Sequence, residues 1–161
     1  MTHQLNFIYN DSDWICPAEY PDLSKATEIA IDLETKDPNI KTKGPGWATF
    51  DGHIVGFAVA ALGQQWYFPI AHDAGGNMDL SITCAWMQDI LKLPATKIFH
   101  NASYDVGWLL VNGFEIRGKI VDTMIAAAII NENRFSFSLN ACAKDYLGEI
   151  KNETFLNEKA K

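Results

Sequence analysis

The sequence has little cysteine and no long hydrophobic run. Three cysteines occur, Cys16, Cys84 and Cys142, and none belongs to a CxxC or CxxH pair. Their odd number and wide spacing predict reduced thiols in a cytoplasmic protein, and they argue against a disulfide framework or a structural zinc site. No apolar stretch approaches membrane-spanning length, and the first residues do not resemble a secretion signal, so we expect no membrane partner.

Positive charge is also scarce. The chain carries 13 Lys and Arg against 20 Asp and Glu, a net charge of −7. A surface of that sign argues against a non-specific nucleic-acid binder. It does not exclude an enzyme that meets phosphates through metal ions, because the ions bring the positive charge. A length of 161 residues with 48% hydrophobic content predicts a single domain, residues 1–161, with a full core.

Two carboxylates one residue apart follow an apolar stretch rich in β-branched residues. The stretch Glu28–Leu33 predicts a strand, so Asp32 and Glu34 share one face of it. Like charges so placed repel, and Lys36 offsets them weakly because the Asp-Pro that follows predicts that the strand has ended. A divalent cation with oxygen ligands is the simplest strong counter-charge. Two solvated carboxylates at a strand end are an equal alternative on this motif alone.

Elsewhere the pattern predicts short strands first and helices later. Three consecutive strands, followed by alternating helices and short strands, indicate an α/β fold with a mixed sheet whose first three strands are antiparallel. The predicted strands besides Glu28–Leu33 are Leu5–Tyr9, His53–Ala61, Gln65–Ile70, Lys97–Phe99 and an extended piece within Phe114–Val121. The predicted helices are Ser81–Lys92, Ser103–Val111, the run TMIAAAII after Asp122, and Leu139–Leu147.

Local chemistry adds expectations about three of these segments. The helix after Asp122 is almost wholly apolar and should be buried on most sides, with Asp122 as its cap. The helix Ser81–Lys92 should bury the face that carries Ile82, Ala85, Trp86 and Ile90. The segment Lys36–Gly52 is a long loop with three lysines. Its lysines and Trp47 either touch nucleic acid or are solvated, with the Trp tucked onto the domain.

A second constellation runs from His100 to Asp105. The preceding strand ends in an Asn turn, with Asn101 a candidate helix cap, and Asp105 falls on the first turn of the next helix. Asp at that position is a common stabilising choice, because a helix N-terminus favours an anion. It could also be a third carboxylate at the same sheet edge as Asp32 and Glu34. Carboxylates from two elements would suit Mg²⁺ or Mn²⁺.

The ordered set IDLET, HNASYD and DTM resembles the 3′–5′ exonuclease (proofreading) domain of family A DNA polymerases, in the DEDD exonuclease superfamily. Asp32, Glu34 and Thr35 match its D-x-E-T motif, and Asn101 and Asp105 match its N-x-x-x-D motif. FPIAHD and GFEIRG fit the intervening segments, so the likeness runs from about residue 28 to residue 148. A start at Met1 without an upstream 5′-nuclease region is most similar to a phage-type enzyme.

The resemblance implies an RNase H-like fold and a metal-dependent nuclease. Two divalent ions, Mg²⁺ or Mn²⁺, would be held by the catalytic residues Asp32, Glu34 and Asp105. The substrate would be a single-stranded or frayed DNA 3′ end, and the partner a polymerase domain of the parent chain in the host cytoplasm. Residues expected to contact substrate are Thr35, Asn101, Tyr104 and His100.

One part of the family pattern is missing. The family needs a fourth carboxylate in a Y-x-x-x-D motif beyond the second motif, and the only literal match, Tyr9 to Asp13, precedes the first. Of the aspartates left downstream, Asp122 is interpreted as a helix cap and Asp145 as solvated. We therefore expect a domain truncated at its C-terminus, with weak or no activity. The alternatives are a non-catalytic RNase H-like module that binds nucleic acid or protein, and RNase D-like processing of RNA 3′ ends.

Overall fold

The computed structural model describes residues 15–73 and 75–148. The predicted strand Leu5–Tyr9 and the polar tail from Glu149 onward lie outside the described residues. The strands are β1 (Glu28–Lys36), β2 (His53–Ala61), β3 (Gln64–Pro69), β4 (Thr96–Phe99) and β5 (Ile120–Asp122). The helices are α1 (Ile40–Lys43), α2 (Gly46–Thr49), α3 (Leu80–Lys92), α4 (Ala102–Val111), α5 (Thr123–Ile130) and α6 (Leu139–Leu147).

The strands form one mixed sheet in the order β3-β2-β1-β4-β5. β1, β2 and β3 pair antiparallel, whereas β4 pairs parallel to both β1 and β5. The α/β class and its antiparallel first three strands are therefore confirmed. The β2–β3 hairpin turns through Leu62 and Gly63, both at positive φ, as a two-residue turn matching the strand twist requires. Within the described residues, no helix has the length and hydrophobicity to span a membrane.

Alternation along β1 separates the core from the candidate site. Ile29, Ile31 and Leu33 are buried and belong to one hydrophobic cluster with Met87 of α3 and Leu109 of α4. Asp32 and Glu34 point to the opposite face and are exposed. The apolar residues of β1 therefore anchor the strand, while its acidic residues are left on the other side.

β1 is longer than the sequence predicts. After an irregularity between Glu34 and Thr35, the ladder with β2 continues through Thr35 and Lys36, so the expectation that the strand ends before Lys36 is wrong. Cross-strand hydrogen bonds, which the Asp-Pro signal does not report, hold these residues extended. Lys36 Nζ lies 2.8 Å from Asp73 Oδ2, so this exposed lysine forms an ion pair with a residue that follows β3.

The segment predicted as a long loop contains the two four-residue helices α1 and α2. Trp47 packs against the core, and a Cβ added to Gly107 would lie 2.4 Å from its ring. Lys43 pairs with Asp51 at 3.7 Å. Of the two readings of this segment, the structure therefore favours the one in which Trp47 tucks onto the domain.

Two predictions about helix faces are wrong, one of them only in part. On α3, Ile90 is buried and Trp86 packs against the core as predicted, but Ile82 is 57% exposed. The other buried residues of α3 are Thr83, Met87 and Leu91, because the helix docks on a stripe about one residue further along. α5 buries only Ala127 among its eight residues. Ile129 remains 80% exposed, since no described element covers that side. An apolar sequence reports the capacity for burial, and a partner must be present to realise it.

Candidate active site

The sheet places the first carboxylate pair on an open face. Across the ladder, Asp32 pairs with Ala58 and Glu34 pairs with Gly56. The β2 residues opposite the two carboxylates are therefore both small. Asp32 also lines a cavity of about 500 Å³ over this face, floored by small residues of β1 and β2. The predicted shared face of Asp32 and Glu34 is therefore the geometry observed.

Asp105 approaches the same strand from α4. It sits in the first turn of that helix, is 3% exposed, and accepts a hydrogen bond from the Leu33 amide at 3.3 Å. Burial, and after it the negative charge of Asp32, raise the pKa of Asp105 to about 7. The structure thus brings Asp105 and Asp32 together, and their repulsion identifies a place where a positive charge would be stabilised.

Thr35 and Tyr104, both predicted to contact substrate, are bonded to each other. Their hydroxyl oxygens lie 2.8 Å apart. The Tyr104 hydroxyl donates to Asp37 Oδ2 at 3.0 Å, so the Thr35 hydroxyl is the donor to Tyr104. Asp37 Oδ2 also accepts from the Gly46 amide at 2.8 Å. The Tyr104 proton is therefore committed within the protein, and only the ring of Tyr104 remains for a ligand.

His100 lines the cavity beside Asp32. Thr123 Oγ1 donates its only proton to the Phe99 carbonyl at 3.0 Å, so the His100 Nδ1 that lies 2.9 Å from it must be the donor of that pair. This fixes Nε2 of the neutral ring as an acceptor. Nε2 is buried and has no hydrogen-bond partner in the described part of the chain.

Asn101 occupies the N-cap position of α4, as predicted, but its side chain does not cap the helix. The residue is left-handed, with φ of 65°, and its Oδ1 accepts from the Ser103 hydroxyl at 3.1 Å. The cap comes from Asp122, which accepts from the Asn101 and Ala102 amides at 3.1 and 2.8 Å. The left-handed backbone of Asn101 turns its side chain away from the start of the helix. The carboxylate of Asp122 therefore accepts the hydrogen bonds that a capping side chain would otherwise accept.

Asp122 also caps α5, as predicted, through the Met124 and Ile125 amides. Burial alone would raise the pKa of Asp122, but these backbone donors outweigh it and hold that pKa below its usual value. One carboxylate thus ties the start of α4 to the start of α5. The cap on α5 follows from the sequence, but the cap on α4 does not, because Ala102 lies 20 residues before Asp122 in the chain.

Tyr67 lies within reach of the Glu34 charge, and the sequence motifs do not indicate this residue. Tyr67 of β3 is hydrogen bonded through its hydroxyl to His72 Nε2. Burial raises the pKa of Tyr67 to about 12, with a contribution from the Glu34 charge. The alternation of side chains along β3 could have indicated Tyr67, because Tyr67 faces the side of the sheet opposite to its neighbours Trp66 and Phe68.

The donor chemistry of the site suits a divalent cation. Asp32, Glu34 and Asp105 supply only carboxylate oxygens, the ligands that Mg²⁺ and Mn²⁺ prefer, and the charge of Asp32 raises the pKa of Asp105. In residues 15–73 and 75–148, no three His, Cys, Asp or Glu side chains stand in a ready metal-binding arrangement. The carboxylates therefore fit the ion chemically but do not form a closed cage.

Comparison with known proteins gives one family. Residues 20–161 match a family model described as 3′–5′ exonuclease. The chain is 31% identical over 161 residues to the DNA-directed DNA polymerase of Pseudomonas phage M6, and 30% identical over 146 residues to DNA polymerase DpoZ of Salmonella phage PMBT28. These matches cover 96% and 89% of this chain but only 24% and 21% of the two polymerases. The chain thus spans about a quarter or less of these relatives.

Among solved structures, Brucella melitensis NrnC with bound Mg²⁺ has a TM-score of 0.58 to this chain. The likeness covers 81% of this chain and 59% of that one at 18% identity. At that identity it establishes the fold alone. The fold is RNase H-like, as the sequence predicts.

Proposed function

The chain belongs to the 3′–5′ exonuclease family, and on that premise we propose that it trims single-stranded or frayed DNA 3′ ends as the proofreading unit of a phage DNA polymerase. The matched regions of two phage polymerases support this assignment. In this proposal residues 1–161 form one domain, its partner is a polymerase domain of the parent protein, and both work in the host cytoplasm.

One observation carries the proposal: Asp105, from α4, is buried against β1 within the electrostatic reach of Asp32. Two like charges held close together raise the free energy of the folded state, and carboxylates in such an arrangement are typical of functional sites. We assign Asp32, Glu34 and Asp105 as the ligands of two divalent ions, Mg²⁺ or Mn²⁺. Bound there, the ions would lower the pKa of a water molecule and stabilise the departing 3′ oxygen.

The surrounding side chains would hold the substrate. Asn101 and His100 lie where β4 passes into α4, and His100 lines the same cavity as Asp32. Thr35 and Tyr104 link β1 to α4 by their shared hydrogen bond, and so hold the adjacent residues Glu34 and Asp105 at a fixed position relative to each other. Their part in binding is to present the ring of Tyr104 to the terminal nucleotide.

A fourth carboxylate is not supplied by the downstream aspartates that the structure describes. The oxygens of Asp122 accept four backbone amides. Asp145, which is on α6, forms an ion pair with Arg134 at 2.9 Å. Because both acids already have partners, we propose that the 161-residue chain is weakly active, and that a longer polypeptide carrying a fourth carboxylate trims faster.

The test uses single-stranded DNA and RNA labelled at the 5′ end, with Mg²⁺ or Mn²⁺. The longer polypeptide should shorten DNA stepwise from its 3′ end, and Asp32→Ala should abolish this. Asp89→Ala, which removes an exposed carboxylate from α3, is the matched control and should leave the rate unchanged. Trimming that survives Asp32→Ala would refute the site. Faster trimming of RNA would favour RNase D-like processing, and retained binding without trimming would favour the non-catalytic module.

A further inference from the structure

Tyr67 occupies space that a side chain on β2 would otherwise fill. Gly56 is the cross-strand partner of Glu34, so a Cβ on Gly56 would point to the same face as the Glu34 side chain. Such a Cβ would lie 2.0 Å from the Tyr67 hydroxyl oxygen. The phenol of Tyr67 therefore lies over Gly56, the cross-strand partner of Glu34, and the absence of a side chain at Gly56 makes that position possible.

Tyr67 is held there by His72. The Tyr67 hydroxyl and His72 Nε2 are hydrogen bonded, and the two rings meet edge to face with centroids 5.7 Å apart. His72 is itself fixed by Asn77, whose amide side chain accepts from the His72 amide at 2.7 Å and donates to the His72 carbonyl at 2.9 Å. Hydrogen bonds with Asn77 therefore hold the backbone of the histidine that contacts the phenol.

We propose that Tyr67 is a positioning residue for Glu34 and that His72 orients it, an inference that rests on the proposed function. In this proposal the Tyr67 hydroxyl donates to the Glu34 carboxylate, and His72 Nε2 donates to the phenol oxygen and so orients it. A metal-binding carboxylate with a fixed hydrogen-bond donor loses less freedom when it takes an ion. The contribution of the Glu34 charge to the raised pKa of Tyr67 agrees with this placement.

The first measurement is Mn²⁺ binding, followed by electron paramagnetic resonance of the free ion, which needs no catalysis. Tyr67→Phe removes one hydroxyl and should weaken Mn²⁺ binding about tenfold, the lower end of the effect of losing a ligand's supporting hydrogen bond. Tyr20→Phe is the matched control. It removes a tyrosine hydroxyl bonded to Thr83 at 2.7 Å on the core side, and should leave Mn²⁺ binding unchanged.

Rescue separates positioning from a general loss of structure. His72→Leu should reproduce the tenfold loss, whereas His72→Gln, whose amide can still donate toward the phenol, should recover most of the affinity. In the longer polypeptide, Tyr67→Phe should raise the Mn²⁺ concentration for half-maximal trimming and leave the KM for DNA unchanged. Equal Mn²⁺ affinity in Tyr67→Phe and wild type would overturn the inference, as would a failure of His72→Gln to recover what His72→Leu loses.

Asp32→Ala distinguishes this outcome from a failure of the proposed function. If Asp32→Ala weakens Mn²⁺ binding and Tyr67→Phe does not, the metal site stands and the role of Tyr67 is refuted. If Asp32→Ala leaves Mn²⁺ binding unchanged, the proposed function itself is wrong. The thermal midpoint of each variant, compared with that of Tyr20→Phe, excludes unfolding as the cause of a weakened affinity.

Discussion

Replacing Asp105 with Asn should make the protein more stable at neutral pH when no divalent ion is present. The folded-state pKa of Asp105 is raised from 3.8 to about 7. The folded protein therefore binds more protons than the unfolded chain between about pH 4 and pH 7, and its free energy of unfolding falls as the pH rises through this window. The stabilisation from protonated Asp105 is complete below pH 4 and is lost above about pH 7.

The size of the effect follows from the shift. Three pKa units at about 1.4 kcal/mol each give roughly 4 kcal/mol between the two limits. About 2.5 kcal/mol of this falls between pH 5 and pH 8. Asn imitates the protonated carboxyl and does not ionise. Between pH 5 and pH 8, the free energy of unfolding of Asp105→Asn should therefore rise by that amount relative to wild type. Any constant cost of the added amide cancels in the comparison.

The assay is urea unfolding of wild type and Asp105→Asn in EDTA at several values between pH 5 and pH 8. Their free energies of unfolding should diverge as the pH rises. Excess Mn²⁺ at pH 8 should stabilise the wild type more than the variant, because the ion offsets the repulsion between Asp105 and Asp32. Parallel curves for the two proteins across the whole range would show that Asp105 has an ordinary pKa, and would refute the reasoning.

Three further substitutions test the packing that supports the site. Lys97, fully buried, donates to the carbonyls of three residues, so Lys97→Met should lower the free energy of unfolding by roughly 2 to 3 kcal/mol in urea, whereas exposed Lys92→Met should change it by less than about 0.5. Gly118→Ala places a Cβ 2.5 Å from a backbone carbonyl, so it should cost about 1 to 2 kcal/mol more than Gly113→Ala, which has similar φ but open space. Asp122→Ala should lower the thermal midpoint by an amount equivalent to about 2 kcal/mol, because two helix starts lose their caps; an effect no larger than that of one cap would refute the shared role.

Several parts of the fold follow from neighbouring residues and were predictable for that reason. The ends of α6 are set by Ser138, which caps its start, and by Gly148, which is left-handed at its end. The Leu62–Gly63 turn joins β2 to β3 within two residues. The alternation of β1 separates Ile31 from Asp32. Each of these signals acts over a few residues, where the local period and the backbone preferences decide the result.

Predictions failed where the answer depended on what lies against an element. The exposed apolar side of α5, the docked stripe of α3 and the extension of β1 to Lys36 are set by neighbours distant in sequence. Composition shows that a surface is apolar, but burial also requires another element at van der Waals distance. Asn101 occupies the predicted N-cap position, but the hydrogen bonds that cap α4 are accepted by Asp122. This too depends on a residue distant in sequence.

The sequence by itself determined the family, the class of fold and the order of the acidic motifs, because these depend on residue types and their spacing. Asp32 and Glu34 share a face by strand parity alone. Only the tertiary structure decided that Asp105 is buried beside Asp32 with a raised pKa, and that Tyr67 lies over Gly56, the cross-strand partner of Glu34. Desolvation and the interaction between charges depend on distances through space, which no local pattern of residues contains.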